Sequence, residues 1–417
     1  MPWAFLAVSL VGAWFTFNAH VPHFRRGPLS VPSFFAGWLT AELAANHVTW
    51  QAAATALFVW AGALAAWPGW VGLGVTLASW LGLLVLMTHA GRTKDLIEAS
   101  LLEGLGRDYR DGFAPGIPER LATPVPRSRL ILPFRLTDPD VRCTRDIEYV
   151  PGGGPRRSLD VYTPREGARN APVLLQIHGG GWVISNKRHQ ALPLMNHLAA
   201  RGWVCIAVNY RLSPRATFPD HLVDLKHSLR WIRENIAGYG GDPDFVVATG
   251  GSAGGHLSSL VALTANDPEY QPGFEEVDTS VRACVPFYGV YDFTNRFGHQ
   301  HHDGMEIFLE TVVMKKRLAE DPEAFQKASP MYRVHADAPP FFVVHGTHDS
   351  LVPIAEAREF AKLLRETSRA PVVFAELPSA QHAFEVFHSL RTSHAVQGVD
   401  RFLAAIYSSY LTERAAA

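Results

Sequence analysis

The chain has almost no net charge and very little cysteine. Its 38 Lys and Arg residues are balanced by 39 Asp and Glu residues, which leaves a formal charge of −1. No basic field exists that would attract nucleic acid, so we expect no nucleic-acid partner. The three cysteines, Cys143, Cys205 and Cys284, lie far apart and match no metal or redox spacing. We therefore interpret them as ordinary thiols.

Charged side chains are also missing from two long N-terminal stretches. Lys, Arg, Asp and Glu are absent from residues 1–24 and from residues 43–91. A helical cap of a soluble protein would normally show charged outer faces at helical spacing, and none is present. Three apolar segments of about 18 residues each would form helices of about 27 Å, close to the thickness of a bilayer core. We therefore predict three transmembrane spans, Trp3–His20, Trp50–Trp67 and Trp70–Met87, within an all-helical region 1–91.

The ends of these spans carry further signals. Tryptophans favour the level of the lipid headgroups, and Pro68-Gly69 is typical of a tight turn between the last two spans. Residues 31–45 are shorter and contain Glu42, which is costly inside lipid, so we expect this segment to lie at the interface or to re-enter the bilayer. A cleaved signal peptide is the alternative for the first span, but no basic region precedes it.

The arginines predict the orientation of the membrane region. Arg25 and Arg26 follow the first span, and Arg92 and Lys94 follow the last. Basic clusters prefer the cytoplasmic side, and three spans place both clusters there. A fourth span through residues 31–45 would instead send the rest of the chain across the membrane. We predict a multi-pass protein of the plasma membrane whose larger part is cytoplasmic.

The composition changes after residue 91. Residues 92–144 predict a juxtamembrane helix over 93–110, followed by a proline-rich linker or cap. Residues 145–417 alternate short β-branched runs with amphipathic helices, which favours one α/β domain. The predicted strands are 146–150, 158–162, 173–177, 204–208, 245–249, 283–287, 341–344 and 372–376, the first two forming a hairpin. The predicted helices are 219–235, 253–264, 353–367 and 399–410.

Two glycine-rich motifs follow predicted strands. Gly250-Gly251-Ser252-Ala253-Gly254 is a G-x-S-x-G pattern, in which glycines allow a strained strand-to-helix turn that exposes the serine hydroxyl. His178-Gly179-Gly180-Gly181-Trp182 is typical of the loop that forms an oxyanion hole. Together they predict a serine hydrolase in which the backbone N–H groups of Gly179, Gly180 and Ala253 bind the oxyanion.

The order of the chain then predicts a catalytic triad. In the α/β-hydrolase fold the nucleophile is followed by the acid and then by the histidine. Asp349 comes just after the predicted strand 341–344, and His382 follows the strand 372–376. We therefore predict Ser252 as nucleophile, Asp349 as acid and His382 as base.

Other histidines are given structural roles. His345 and His348 flank the predicted acid, His178 opens the glycine loop, and His256 follows the nucleophile on its helix. Tyr210-Arg211-Leu212 is expected to brace the glycine loop. His299, His301, His302 and Asp303 could bind zinc, but we interpret them as an exposed lid segment and predict no metal site.

At these residues the chain resembles the hormone-sensitive-lipase-like esterases and the related feruloyl-esterase-like α/β-hydrolases. The resemblance covers about residue 145 to the C-terminus, and matching positions include Gly240-Gly241-Asp242-Pro243 and Val352-Pro353. It implies an eight-stranded, mostly parallel sheet with a helical cap, and a carboxylic ester hydrolase that needs no cofactor. In the lipase-like branch an acidic residue commonly precedes the nucleophile, where this chain has Gly251.

The resemblance also bears on the substrate. Residues 295–339 are expected to form a lid that shapes the acyl pocket together with residues 92–140. A membrane region beside such a pocket predicts an apolar or lipid-like ester taken from the bilayer. Acyl transfer to another alcohol, amide or formamide hydrolysis and a non-catalytic binding module are the alternatives.

Overall fold

An eight-stranded sheet forms the centre of the protein. The structure is a computed structural model that describes residues 1–22, 30–121, 128–300 and 303–416. The strand order is β1-β2-β4-β3-β5-β6-β7-β8; β2 is antiparallel to β1 and β4, and the remaining pairs are parallel. The strands are β1 (Val141–Glu148), β2 (Ser158–Pro164), β3 (Ala171–Ile177), β4 (Val204–Val208), β5 (Gly241–Gly251), β6 (Ala283–Phe287), β7 (Phe341–Gly346) and β8 (Val372–Leu377).

The inner strands are continuously apolar because both faces of the sheet are covered. Every residue of β3, β4, β6 and β7 is buried. All eight predicted strands are present. The first begins earlier than predicted, at Val141, because a bulge interrupts its pairing with β2 between Thr144 and Ile147. Asp146 has a φ of 58° in this bulge, and such an irregularity breaks the alternation by which a strand is read from sequence.

Helices cover both faces of the sheet. The helices are α1 (Pro2–His20), α2 (Ser30–Glu42), α3 (Ala44–Trp60), α4 (Trp67–Leu105), α5 (Ile117–Leu121), α6 (Ser128–Ile131), α7 (Leu192–Ala199), α8 (Asp220–Asn235), α9 (Ala253–Leu263), α10 (Asp303–Phe308), α11 (Pro322–Lys327), α12 (Ile354–Thr367) and α13 (Leu390–Ala416). One apolar cluster contains side chains of α8, α9 and α12, and a second contains side chains of α4, α7 and α13.

The N-terminal helices differ from the predicted spans. Among the helices that the structure describes, α1 and α4 are the two that are clearly long and apolar enough to cross a membrane. Helix α3, which overlaps the second predicted span, is shorter and has 17 residues. The tight turn predicted at Pro68-Gly69 is wrong, since both residues belong to the first turn of α4 and the chain reverses over residues 61–66. Proline fits a first helical turn because its missing N–H would have no partner there.

The predicted juxtamembrane helix is not separate from the third span. Helix α4 runs without a break for 39 residues, which corresponds to about 58 Å. Its last turns pack on the catalytic domain, where Ile97 and Leu101 are fully buried in the same cluster as Phe402 of α13. The predicted boundary at residue 91 therefore lies inside one helix that joins the two parts.

Candidate active site

The predicted catalytic residues meet at the carboxyl edge of the parallel strands. Ser252 follows β5, Asp349 follows β7 and His382 follows β8, while the glycine loop follows β3. All three side chains line one cavity of about 1010 Å³. Parallel strands end at a common edge, so residues 130 positions apart in the chain reach one site.

Ser252 occupies a strained turn that its glycine neighbours permit. Its φ is 60°, an uncommon value for a residue with a side chain. A Cβ at Gly250 would lie 2.4 Å from the carbonyl oxygen of Gly254, and one at Gly254 would lie 2.1 Å from that of Ile177. The glycines of the motif therefore allow β5, the serine turn and α9 to pack closely.

The position before the nucleophile has no room for a side chain. A Cβ at Gly251 would lie 2.6 Å from the hydroxyl oxygen of Tyr288. The tyrosine hydroxyl in turn donates a hydrogen bond to Glu385. The acidic residue of the lipase-like pattern would therefore clash with Tyr288 at this position.

Asp349 is positioned to orient His382. Its Oδ2 accepts a hydrogen bond from His382 Nδ1 at 2.7 Å and lies 3.2 Å from His345 Nε2, which is also 3.1 Å from the carbonyl oxygen of Val352. Its Oδ1 accepts the backbone N–H groups of Leu351 and Val352 at 2.9 and 2.8 Å. Burial alone would raise the pKa of Asp349, but the charge and hydrogen bonds of His382 and His345 outweigh it and lower the pKa. The carboxyl group is therefore ionised.

The glycine loop is braced as predicted. His178 Nδ1 lies 2.7 Å from the carbonyl oxygen of Gly179, and its ring stacks on Tyr210 at a centroid distance of 4.5 Å. The Tyr210 hydroxyl donates to the carbonyl oxygen of His178 at 2.9 Å. Burial lowers the pKa of His178 to about 4, so the ring is neutral and structural.

The backbone N–H groups that were predicted to bind an oxyanion, those of Gly179, Gly180 and Ala253, differ in whether they already have an acceptor. The N–H of Gly179 donates to Gln190 Oε1 at 2.5 Å and is thus already used. Among the described residues, no protein acceptor bonds the N–H of Gly180, Gly181 or Ala253, and the first two residues line the cavity. Sequence reasoning gave no signal for the contact of Gly179 with Gln190, because Gln190 lies eleven residues further along the chain and outside the glycine motif.

The cavity wall is mainly apolar and comes from several parts of the chain. Residues 295–339, which the sequence predicts as a lid, contribute Met305 and Phe308 to the lining. No described lining residue comes from 92–140, contrary to the prediction; helix α2 contributes Phe34 instead. The apolar lining consists of Phe34, Trp182, Val183, Ile184, Val290, Met305, Phe308, Leu351, Val352, Pro353, Ile354 and Ala355.

One carboxyl group also lies in the wall of this cavity. Glu356 is buried and accepts hydrogen bonds from Gln300 Nε2 at 2.7 Å and from the N–H of Tyr291 at 2.9 Å. Burial raises its pKa to about 7. Sequence reasoning gave no signal for it because it follows the pattern of an ordinary helix start.

The histidine that follows the nucleophile on its helix has protein partners. His256 Nε2 lies 2.7 Å from the carbonyl oxygen of Ala328, and its ring stacks on Phe293, consistent with its predicted structural role. In the histidine-rich loop, His301 and His302 lie outside the described residues. Within the described ranges no group of three or more His, Cys, Asp or Glu side chains could hold a metal ion.

The strand order, the sharp turn at Ser252 and the cavity at the carboxyl edge define an α/β-hydrolase. The family model described as BD-FAE matches residues 159–364. The protein named "Probable carboxylic ester hydrolase LipM" of Mycobacterium tuberculosis is 46% identical over 413 residues, covering 97% of this chain and 93% of its own. The chain therefore belongs to the family of carboxylic ester hydrolases that includes LipM, and it is an ester hydrolase.

One further relative agrees with this family, and one solved structure agrees with the fold. "Esterase LipQ" of the same organism is 45% identical over 330 residues, covering 78% of this chain and 77% of its own. The crystal structure of esterase B from Lactobacillus rhamnosis HN001 has a TM-score of 0.56 at 22% identity, covering 76% of this chain and 98% of that chain. At this identity the second likeness shows the fold alone.

Proposed function

We propose that the protein is a membrane-anchored serine carboxylesterase that uses Ser252, His382 and Asp349. The observation that carries the proposal is the 2.7 Å hydrogen bond between His382 Nδ1 and Asp349 Oδ2, at a cavity that Ser252 also lines. A serine hydroxyl is a weak nucleophile until a neutral imidazole accepts its proton. The aspartate holds the ring in the required tautomer and stabilises its cationic form.

The reaction proceeds in two steps. Ser252 Oγ attacks the ester carbonyl while His382 Nε2 takes the hydroxyl proton, and His382 returns this proton to the leaving alkoxide. Water then attacks the acyl-enzyme by the same route, which releases the acid and restores the serine. No other reactant is required.

The oxyanion of each tetrahedral intermediate would be held by backbone N–H groups. Gly180, Gly181 and Ala253 are our candidates because their N–H groups have no acceptor among the described residues. Loss of one such donor in a comparable site costs about 3–4 kcal/mol of transition-state stabilisation. The N–H of Gly179 has a different task, which is to tie the loop to Gln190.

The surface of the N-terminal helices supports membrane anchoring. The buried residues of α1 are largely small or polar, and Thr16 Oγ1 and Ser79 Oγ hydrogen-bond at 2.8 Å between α1 and α4. The large apolar residues point outward instead, such as Trp3 and Phe17 at 64% exposure and Leu81 at 66%. Helices of soluble proteins show the reverse arrangement, whereas membrane helices pack through small and polar residues.

The same arrangement favours an apolar ester as substrate. The cavity is lined mainly by apolar side chains, and Ile184 in its lining is 67% exposed. Helix α2 lies beside the cavity, so an ester dissolved in the bilayer could enter without crossing water. We place the catalytic domain on the cytoplasmic side, following the arginine clusters. This placement requires that α3, with 17 residues or about 26 Å, crosses the bilayer together with α1 and α4.

Hydrolysis of nitrophenyl esters of increasing acyl length by the detergent-purified full chain tests the catalytic proposal. Ser252→Ala should abolish the activity and the labelling by an alkyl fluorophosphonate. Ser258→Ala, a buried serine on the same helix that donates to the carbonyl oxygen of Gly255, is the matched control and should keep both. Equal activity of Ser252→Ala and the parent would overturn the proposal. Products formed with added alcohols distinguish hydrolysis from acyl transfer.

Extraction of membranes from expressing cells tests the anchoring. The full chain should stay in the pellet after alkaline carbonate and enter the supernatant only with detergent. Release by carbonate alone would show a peripheral or soluble protein. A protease-sensitive tag at the C-terminus should be protected in intact spheroplasts if the catalytic domain is cytoplasmic.

A further inference from the structure

Helix α2 supplies an aromatic wall next to the proposed catalytic base. Phe34 lines the cavity and is only 8% exposed. Its ring meets the His382 ring edge-on, with centroids 6.3 Å apart and an interplanar angle of 68°. Trp38, one helical turn later, stacks on Phe34 at 5.7 Å and also contacts Phe387 at 5.2 Å. Phe34 is therefore held between its own helix and the loop that carries His382.

Polar contacts fix the N-terminal helices to the loops of the catalytic site. The carboxylate of Glu42, at the end of α2, accepts hydrogen bonds from Arg391 Nε and Ser389 Oγ, each at 2.7 Å. His348, beside the proposed acid, approaches the carbonyl oxygen of Ala19 at 3.1 Å. His89 Nδ1 lies 2.8 Å from Ser379 Oγ, three residues before His382. These contacts give Phe34 a defined position in the site.

The chemistry of the proposed reaction indicates what this wall would touch. In the first step His382 must reach the oxygen of the leaving alcohol in order to protonate it. The group attached to that oxygen consequently extends from the side of the histidine ring, where Phe34 lies. Phe308 lies beside the glycine loop, because a Cβ at Gly181 would lie 3.8 Å from its ring.

We propose that Phe34 is a specificity-determining residue for the alcohol part of the ester, and that this part is an apolar alkyl or aryl group. The proposal rests on the proposed serine esterase function. It makes the N-terminal helical region part of the active site in addition to its role as an anchor. The substrate alcohol would thus be selected by a residue that precedes the nucleophile Ser252 in sequence by more than 200 positions.

A kinetic consequence separates this role from a merely structural one. Esters with the same acyl group and different alcohols form the same acyl-enzyme, so only the first step can depend on the alcohol. A substitution of Phe34 should therefore change how kcat/KM varies along a series of alcohols. Where deacylation limits the rate, all esters of that series should still have the same kcat. A general loss of folding would lower the values for all esters alike.

The experiment uses the full chain in detergent and two series of esters. Alkyl butyrates from ethyl to octyl vary the alcohol and are followed by acid release, and nitrophenyl esters from acetate to decanoate vary the acyl group. Phe34→Ala should change the octyl-to-ethyl ratio of kcat/KM by about tenfold, the scale of one or two methylene contacts, and Phe34→Trp should change it in the opposite direction. The decanoate-to-acetate ratio of kcat/KM in the acyl series should stay within about twofold of the parent, because every nitrophenyl ester carries the same alcohol part.

Phe35→Ala is the matched control, since Phe35 belongs to the same helix but is 49% exposed and is not among the cavity residues. The inference is overturned if the octyl-to-ethyl ratio of kcat/KM changes no more in Phe34→Ala than in this control. It is also overturned if the decanoate-to-acetate ratio of the acyl series shifts by the same factor. Labelling of Ser252 by a fluorophosphonate verifies that each variant is folded. If Ser252 of the Phe34→Ala variant is not labelled, Phe34→Leu and Phe34→Trp are compared with the parent instead. A parent chain without Ser252-dependent hydrolysis would instead refute the esterase function itself.

Discussion

Glu42 of helix α2 and Arg391 of helix α13 form an ion pair with a distance of 2.7 Å between Oε1 and Nε, and both side chains are fully buried. Residues 31–45 were expected to lie at the interface or to re-enter the bilayer because of this glutamate. The structure instead gives the carboxylate a cationic partner in the catalytic domain. Arg391 also donates to the carbonyl oxygen of Pro378 at 2.5 Å, close to the loop of His382.

Removal of one partner of this pair should be strongly destabilising. Glu42→Ala leaves the guanidinium of Arg391 buried without its counter-charge, which costs about 3–5 kcal/mol in comparable pairs. The double replacement Glu42→Leu with Arg391→Met should recover a large part of this loss, because neither charge then remains buried. Chemical unfolding of the full chain in detergent measures both free energies. An exposed pair, Arg358 and Glu376, is the control, and its loss should cost at most about 1 kcal/mol.

Asp349 and His345 should differ in their effect on activity. Asp349→Asn keeps the shape of the side chain but cannot stabilise the cationic His382, so we expect kcat to fall by about 10³–10⁴-fold. His345→Gln keeps a donor near Asp349, whose Oδ1 still accepts two backbone N–H groups, so its kcat should fall by less than about tenfold. Steady-state kinetics on nitrophenyl butyrate measures both. Similar losses in the two variants would argue against His382 as the main partner of Asp349.

Gln190 should matter for rate because it holds the glycine loop. Gln190→Ala leaves the buried N–H of Gly179 without its acceptor, which costs about 1–3 kcal/mol and loosens the donors beside it. We expect kcat to fall by about 10- to 100-fold with little change in KM. Gln190→Glu keeps an acceptor oxygen and should retain most of the activity. An equal fall in both variants would show that the hydrogen bond to Gly179 is not the cause.

Glu385 should make the stability of the protein depend on pH. Burial raises its pKa to about 7, although Tyr288 donates a hydrogen bond to it and His382 lies nearby. The unfolded chain ionises this carboxyl near pH 4.5, so the folded state loses relative stability as pH rises from about 4.5 to 7 and stays at the reduced value above that range. Over this pH range the ionisation of Glu385 should lower the free energy of unfolding by about 3 kcal/mol.

Glu385→Gln tests this dependence because an amide keeps an acceptor for the Tyr288 hydroxyl and cannot ionise. The difference in unfolding free energy between the variant and the parent should grow in favour of the variant from pH 5 to pH 8. Glu276→Gln, at an exposed position, is the control. A difference for Glu385→Gln that does not change with pH would contradict the expected ionisation.

Several features were predictable because neighbouring residues in the chain decide them. Short β-branched and apolar runs identified all eight strands, and the glycines around Ser252 indicated the sharp turn because only residues without a Cβ fit between β5 and α9. The positions of Ser252, Asp349 and His382 after strands β5, β7 and β8 predicted which side chains meet, since parallel strands end at one edge. Length and lack of charge indicated the apolar helices α1 and α4.

The sequence by itself thus determined the sheet, the serine turn and the chemical class of the site. Only the tertiary structure decided that Gln190 occupies the N–H of Gly179, that Phe34 stands beside His382, and that Glu42 is neutralised by Arg391. Strands, turns and helices follow from local steric and hydrophobic patterns that a few consecutive residues display. Contacts between a glycine loop and a side chain, or between residues about 350 positions apart, depend on how completed elements pack, and no local pattern encodes them.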